Sequence, residues 1–113
     1  REWLRATLQA RGARVDYAEC YRRVRPDSDT GPLLARWQRG GVDAVSITSA
    51  EGLSNLFGML GPTGQGYLCA TPVFVPHSRI GAAADALGVR QVVVTGRGDE
   101  RCVAEMAAFF ATV

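Results

Sequence analysis

Val42-Asp43-Ala44-Val45-Ser46-Ile47-Thr48, Pro72-Val73-Phe74-Val75 and Gln91-Val92-Val93-Val94-Thr95 are short runs rich in β-branched residues, and what separates them decides the fold. Between the first two lies a helical pattern from Glu51 to Leu60, with Leu53, Leu56, Phe57 and Leu60 on one face. A loop is expected to follow it, Gly61-Pro62-Thr63-Gly64-Gln65-Gly66. Between the second and third runs, an alanine-rich helix is expected from Ser78 to Leu87, stopping at Gly88. A last helix is expected from about Asp99 to Phe110. Short strands alternating with helices of ~10–15 residues need crossover connections, and so a parallel sheet. The expected fold class is α/β, a parallel sheet with flanking helices.

Upstream the pattern loosens. Trp3, Leu4 and Leu8 ahead of Gly12 describe a helix closed by a glycine stop. Ala13 to Tyr21 alternates like a strand. Both of its faces are mixed, so an edge or a connector is expected there. Leu33, Leu34 and Trp37 before Gly40-Gly41 describe a second helix. Arg25-Pro26-Asp27-Ser28-Asp29-Thr30-Gly31-Pro32, polar and twice interrupted by proline, is the one linker signal. Charge also changes there. Residues 1–26 hold seven arginines against Glu2, Asp16 and Glu19, a net of +4; residues 27–113 hold six against eight acids, a net of −2. The chain opens on a helix with no strand before it and reads as a piece of a longer protein.

The 113 residues suit about one domain. A content of 47% hydrophobic and 21% charged residues is that of an ordinary soluble chain. No apolar run approaches the ~18 residues of a membrane span, and no signal peptide is visible. With a net charge of +2 and no basic stripe interleaved with aromatics, nucleic acid is not the expected partner. Every basic residue is an arginine, whose guanidinium fork matches carboxylates and phosphates. Cys20, Cys69 and Cys102 form no CxxC pair and there is one histidine, so no zinc set can be assembled by spacing. Thiols in a reducing cytoplasm are expected.

Ligands of open parallel sheets bind beyond the carboxyl ends of the strands. Three such ends carry small polar residues beside a helix start: Thr48-Ser49-Ala50-Glu51, Pro76-His77-Ser78-Arg79 and Thr95-Gly96-Arg97-Gly98-Asp99. Backbone N–H groups at a helix N-terminus attract anions. Three of them side by side would form a polar shelf for carboxylates or phosphates. Each turn also has a purely structural explanation. Thr48 and Glu51 fit a capping box, Ser78 can cap a helix, and Gly96 and Gly98 can simply permit a turn.

Other motifs fail. Gly96 and Gly98 do not make a dinucleotide fingerprint, because the third glycine position is Arg101; the 61–66 loop lacks the ending of a P-loop. Arg97-Gly98-Asp99 spells an adhesion tripeptide, but an α/β turn explains it better. His77 has no recognisable nucleophile and reads as a solvent-facing or hydrogen-bonding residue. Asp43 stands at the wrong end of its strand for a phosphoacceptor.

The stretch from Arg1-Glu2 through Gly12-Ala13-Arg14-Val15 to Glu19-Cys20-Tyr21-Arg22-Arg23 resembles the uroporphyrinogen-III synthase family. Val42 to Ser49 ahead of a helix, and Ala86-Leu87-Gly88 ahead of a valine strand, extend the resemblance in the same order over nearly the whole chain. It implies an enzyme of two flavodoxin-like α/β domains with the site between them. Residues 1–24 would end one domain with a linker strand, and 28–113 would form the C-terminal part of the other. The implied reaction, in haem biosynthesis, closes the linear tetrapyrrole hydroxymethylbilane to uroporphyrinogen III, losing water and inverting the last pyrrole ring. It implies no metal or organic cofactor, no nucleic-acid or membrane partner, a cytoplasmic location and a monomeric full-length enzyme. A fragment this short is expected to be inactive alone, and self-association would cover its exposed surface.

By the same resemblance Tyr21 occupies the place of the cleft tyrosine, a phenol able to protonate the departing hydroxyl, and Ser49 matches the family's Thr-Ser serine. The shelf residues Thr48, Ser49, His77, Ser78, Arg79, Thr95 and Gly96 would take substrate carboxylates. The second turn departs from the family's glycine- and threonine-rich form, which leaves its hydroxyl contact resting on Ser78. A non-catalytic anion-binding α/β module and a degenerate synthase half with only an interaction role are the alternatives.

Overall fold

The computed structural model describes residues 2–17 and 30–111. Its elements are α1 (Glu2–Ala10), α2 (Gly31–Gln38), β1 (Val45–Ser46), α3 (Ala50–Cys69), β2 (Val73–Val75), α4 (Ser78–Ala86), β3 (Val92–Val94) and α5 (Asp99–Ala111). The three strands lie in the order β1-β2-β3, all parallel. Val73 of β2 is flanked by Val45 and Val92, and Phe74 by Ser46 and Val93. The α/β class and the parallel sheet are therefore as expected. The strands are shorter than their apolar runs, because pairing fades where the chain turns off the sheet.

Strand side chains alternate between faces, and the two faces are filled differently. Val73 and Val75 join Leu53, Leu56, Leu60, Leu68, Ile80 and Ala84 in one buried cluster beneath α3 and α4. Phe74 points the other way. It meets Phe109 edge-on at 5.4 Å and Phe110 at 6.3 Å, both from α5. Leu4 of α1 packs against Cys102 and Val103 on α5, with Leu8 and Met106 half-buried beside them. Thus α1 covers α5.

One expectation is corrected. Residues 61–66 are not a loop: helix runs from Ala50 to Cys69 with a single kink at Gly61, whose φ of 70° and ψ of 177° leave the helical region. Only glycine takes that conformation without a Cβ penalty. Pro62 then starts a second helical segment where its missing N–H costs nothing. Gly64 continues it because α2 presses close: a Cβ there would stand 2.7 Å from both Leu34 Cδ2 and Leu60 Cβ. Trp37 of α2 locks the same contact. Its indole N–H donates to Thr71 Oγ1 at 2.9 Å, Thr71 donates on to the Tyr67 carbonyl at 2.8 Å, and the Trp37 and Tyr67 rings stack.

The expected stops at Gly12, Gly40 and Gly88 do take left-handed φ. Residues 13–17 form no strand. They are tied down by polar contacts instead: Asp16 accepts a hydrogen bond from Arg36 on α2, with Arg14 Nε 3.3 Å away. The hydrogen bond from Arg36 holds the Asp16 carboxyl below its ordinary value of 3.8, against the opposing effect of desolvation and with the Arg36 and Arg14 charges adding to it. Arg5 lies over the Tyr17 ring, 4.4 Å from its centre. Cys20, Tyr21 and residues 25–29 of the expected linker lie outside the described residues; Thr30, Gly31 and Pro32, also expected in it, instead cap and open α2. The described cysteines, Cys69 and Cys102, are not joined in a disulfide. No helix among the described residues is long and apolar enough to cross a membrane.

Candidate functional site

The carboxyl ends of all three strands open into one cleft of about 250 Å³. Its walls are Ser46 at the end of β1 with Ile47 and Thr48 after it, Val75 at the end of β2 with Pro76 after it, and Thr95 and Gly96 after β3, with Phe74 also lining it. Gly98, Asp99 and Cys102 close it from the start of α5. A parallel sheet gathers these ends because crossover helices return every strand to the same starting side.

The first turn is capped by serine, not threonine. Ser49 has extended backbone and accepts the Gly52 N–H at 2.9 Å, so the expected Thr48–Glu51 box does not form. The reason is register: the helix starts at Ala50, one residue later than that box requires. The cap uses an oxygen lone pair, so the Ser49 hydroxyl proton remains available to an acceptor. Thr48, exposed at the cleft wall, has its own hydroxyl free of capping.

The second turn contributes least. His77 takes the cap position of α4 without a side-chain hydrogen bond, and Ser78, expected there, is the first helical residue. Ser78 and Arg79 are exposed, and His77 is half-buried. None of the three lines the cleft, which Pro76 borders instead.

The third turn is the most constrained. The Thr95 N–H donates to the Val75 carbonyl at 2.8 Å, extending the ladder one residue past β3. Its hydroxyl, 4% exposed as a residue, is shared between the carbonyls of Gly96 at 2.8 Å and Val75 at 3.3 Å. One proton cannot also serve a carboxylate. Thr95 thus shapes the turn, and its hydroxyl has no proton left to offer an anion. Gly96 and Gly98 have φ of 97° and 96°, which aims the turn back over the cleft. Two acids, Asp99 and Glu100, balance two arginines, Arg97 and Arg101, within five residues. A preference for anions there would come from directed N–H groups rather than net charge.

Of the expected site residues, the structure therefore brings Thr48, Thr95 and Gly96 into one cleft, sets Ser49 just beside it, and leaves His77, Ser78 and Arg79 outside the walls. Sequence reasoning missed Ser46 and Cys102, whose Oγ and Sγ stand 3.7 Å apart. Strand alternation could have found Ser46, which shares a face with Phe74; nothing in the sequence pairs it with Cys102. Among the described residues, no group of three or more His, Cys, Asp or Glu side chains is placed to hold a metal ion.

The family model described as uroporphyrinogen-III synthase HemD matches residues 1–100. Uroporphyrinogen-III synthase of Salmonella typhimurium (strain LT2) is 34% identical over 103 residues, covering 88% of this chain and 41% of the relative. The Escherichia coli K12 protein of the same name is 32% identical over 100 residues, with the same coverage. The chain thus spans about two fifths of the length of these relatives. The match across nearly all of the α/β series places this chain in the uroporphyrinogen-III synthase family.

Proposed function

We propose that the protein carrying this chain in full closes hydroxymethylbilane to uroporphyrinogen III with inversion of the last pyrrole ring. The observation that carries this reading is the cleft at the carboxyl ends of β1, β2 and β3 in a chain of this family. Each pyrrole of that substrate bears an acetate and a propionate, so recognition calls for many N–H and hydroxyl donors set to meet carboxylates. Thr48 and Ser49 supply hydroxyls, and residues 96–98 of the third turn supply main-chain N–H groups. His77, Ser78 and Arg79 would engage only substrate that extends beyond the cleft.

Size supports a shared site. A cleft of about 250 Å³ is below the ~300–1,000 Å³ of pockets that enclose drug-sized ligands, and a tetrapyrrole is larger still. It suits a single pyrrole with its acid side chains. The remaining rings need a second wall, which the two-domain arrangement (1–24 and 28–113) would supply from the opposite domain. The work asked of such a cleft is mostly positional. Electron-rich pyrroles expel the terminal hydroxyl readily to give an azafulvene, and the enzyme must fold the chain so that its two ends meet. Tyr21, outside the described residues, is proposed as the acid that protonates the departing hydroxyl, which leaves as water. A cytoplasmic location, a monomeric full-length enzyme and a reaction run without added metal complete the reading.

The test is product isomer analysis, because unassisted closure gives the uninverted isomer I. The full-length protein should yield isomer III without added metal, and this chain alone should leave the isomer I rate unchanged. Isomer I as the sole product of the full-length protein would overturn the proposal. For Tyr21→Phe, a fall in turnover larger than any rise in KM marks a proton donor; an unchanged rate and isomer ratio would end that role.

A further inference from the structure

Between β3 and α5 the chain has two glycines with left-handed φ, Gly96 and Gly98, in three residues. Such a segment is expensive to order, because glycine surrenders more backbone freedom than any other residue. It is nevertheless the rim of the cleft. Two side chains hold it. From below, the Thr95 hydroxyl donates to the Gly96 carbonyl at 2.8 Å. From α5, Arg101 Nε donates to the Thr95 carbonyl at 3.3 Å. The guanidinium also lies close against Gly96: a Cβ there would stand 3.2 Å from Nε, 3.4 Å from Nη2 and 3.5 Å from Cζ.

We propose that Arg101 is a positioning residue for the cleft, acting through the Thr95 carbonyl and the face of Gly96 to hold the 96–98 N–H groups in their binding geometry. Gly96 and Arg101 then form one device. Glycine at 96 both turns the chain and leaves the surface against which the guanidinium rests. The side chain of Arg101 is otherwise on the solvent side of α5, so its removal leaves the core intact.

Three substitutions separate this role from simple charge attraction to an anionic substrate. In Arg101→Gln, the amide nitrogen occupies the same place along the side chain as Nε, so the donor to Thr95 is kept and the charge lost. In Arg101→Lys the charge is kept, but a methylene replaces Nε. Arg101→Leu loses both. The kinetic arm rests on the proposed reaction and uses the full-length protein. Leu and Lys should raise KM about five- to tenfold with little change in kcat, the range of one lost hydrogen bond. Gln should stay within about twofold of the parent.

A second arm needs no activity. Amide exchange at 96–98 should quicken about tenfold in Leu and Lys and return to the parent rate in Gln, reporting local opening. If the parent protein makes no isomer III while exchange follows this pattern, the synthase reading fails and the clamp stands. Rescue of KM by Lys rather than Gln would overturn the clamp in favour of direct charge attraction. Equal exchange in all four proteins would overturn it outright.

Discussion

The two faces of the sheet solve the same packing problem with different means. Beneath α3 and α4, Val73 and Val75 meet a broad aliphatic cluster with Leu53, Leu68 and Ala84 at or below 1% exposure. On the opposite face Phe74 carries most of the contact alone, wedged against Phe109 and Phe110, and the buried apolar cluster described beyond it is small: Leu4, Cys102 and Val103. The first face is redundant, and the loss of one methyl group there is shared by many neighbours. The second face depends on one ring. It is also the face whose upper edge becomes the cleft, because Ser46, Phe74 and Cys102 all point that way. The cleft lies on the thinner side of the sheet.

Phe74→Ala is the sharpest way to break that contrast. It should cost about 3–5 kcal/mol, a large part of a typical ~5–15 kcal/mol total, read by denaturant unfolding. Leu53→Ala is the control on the aliphatic face. If the faces differ as argued, Cys102, 7% exposed in the parent, should react with a thiol reagent faster in Phe74→Ala than in Leu53→Ala. Equal reactivity would erase the distinction.

Gly64→Ala probes how tightly the aliphatic side is closed. The new methyl group would meet Leu34 and the unyielding Cβ of Leu60, and should cost about 1–3 kcal/mol by thermal unfolding. The near-ultraviolet signal of Trp37, anchored beside this contact, should change with it. Ser49→Ala should cost about 1 kcal/mol as a lost helix cap, and Thr48→Ala clearly less, because only Ser49 accepts the Gly52 N–H. The reverse order would restore the threonine box.

The smallest effect should come from Asp16. Its carboxyl is held below 3.8 by Arg36, so the pair contributes fully above that value and loses its contribution as pH falls through the lower folded value. Asp16→Asn should lower stability at pH 7 slightly, as expected for an exposed pair, and flatten its decline in acid by the same small amount, measured by thermal unfolding between pH 2 and 7.

Much of this was legible in the residues. Three β-branched runs separated by helical patterns dictate a parallel α/β sheet whichever way the turns are drawn, and the third turn needed its glycines. The 61–66 segment was misread for a physical reason. Glycine and proline usually announce a loop, and here Gly61 supplies the kink while Pro62 starts the next helix and Gly64 admits Leu34, a contact 30 residues away in sequence. Residues 13–17 alternate like a strand, yet Asp16 is claimed by Arg36 and Tyr17 by Arg5. The cleft's polar ends were readable as strand termini. The role of Cys102 was not, because only the packing of α5 on β2 brings it to Ser46.

The strands stand side by side in the order in which they are made. Within this chain, each βα unit docks on the one just completed, and no later strand has to be threaded between two earlier ones. Translation proceeds at ~5–20 residues per second, whereas helix formation takes about a microsecond or less. The sheet can therefore grow from β1 to β3 as the chain emerges, with one fresh edge at a time. By that schedule the cleft is among the last features to appear, since its third wall waits for Thr95 and for the first turn of α5.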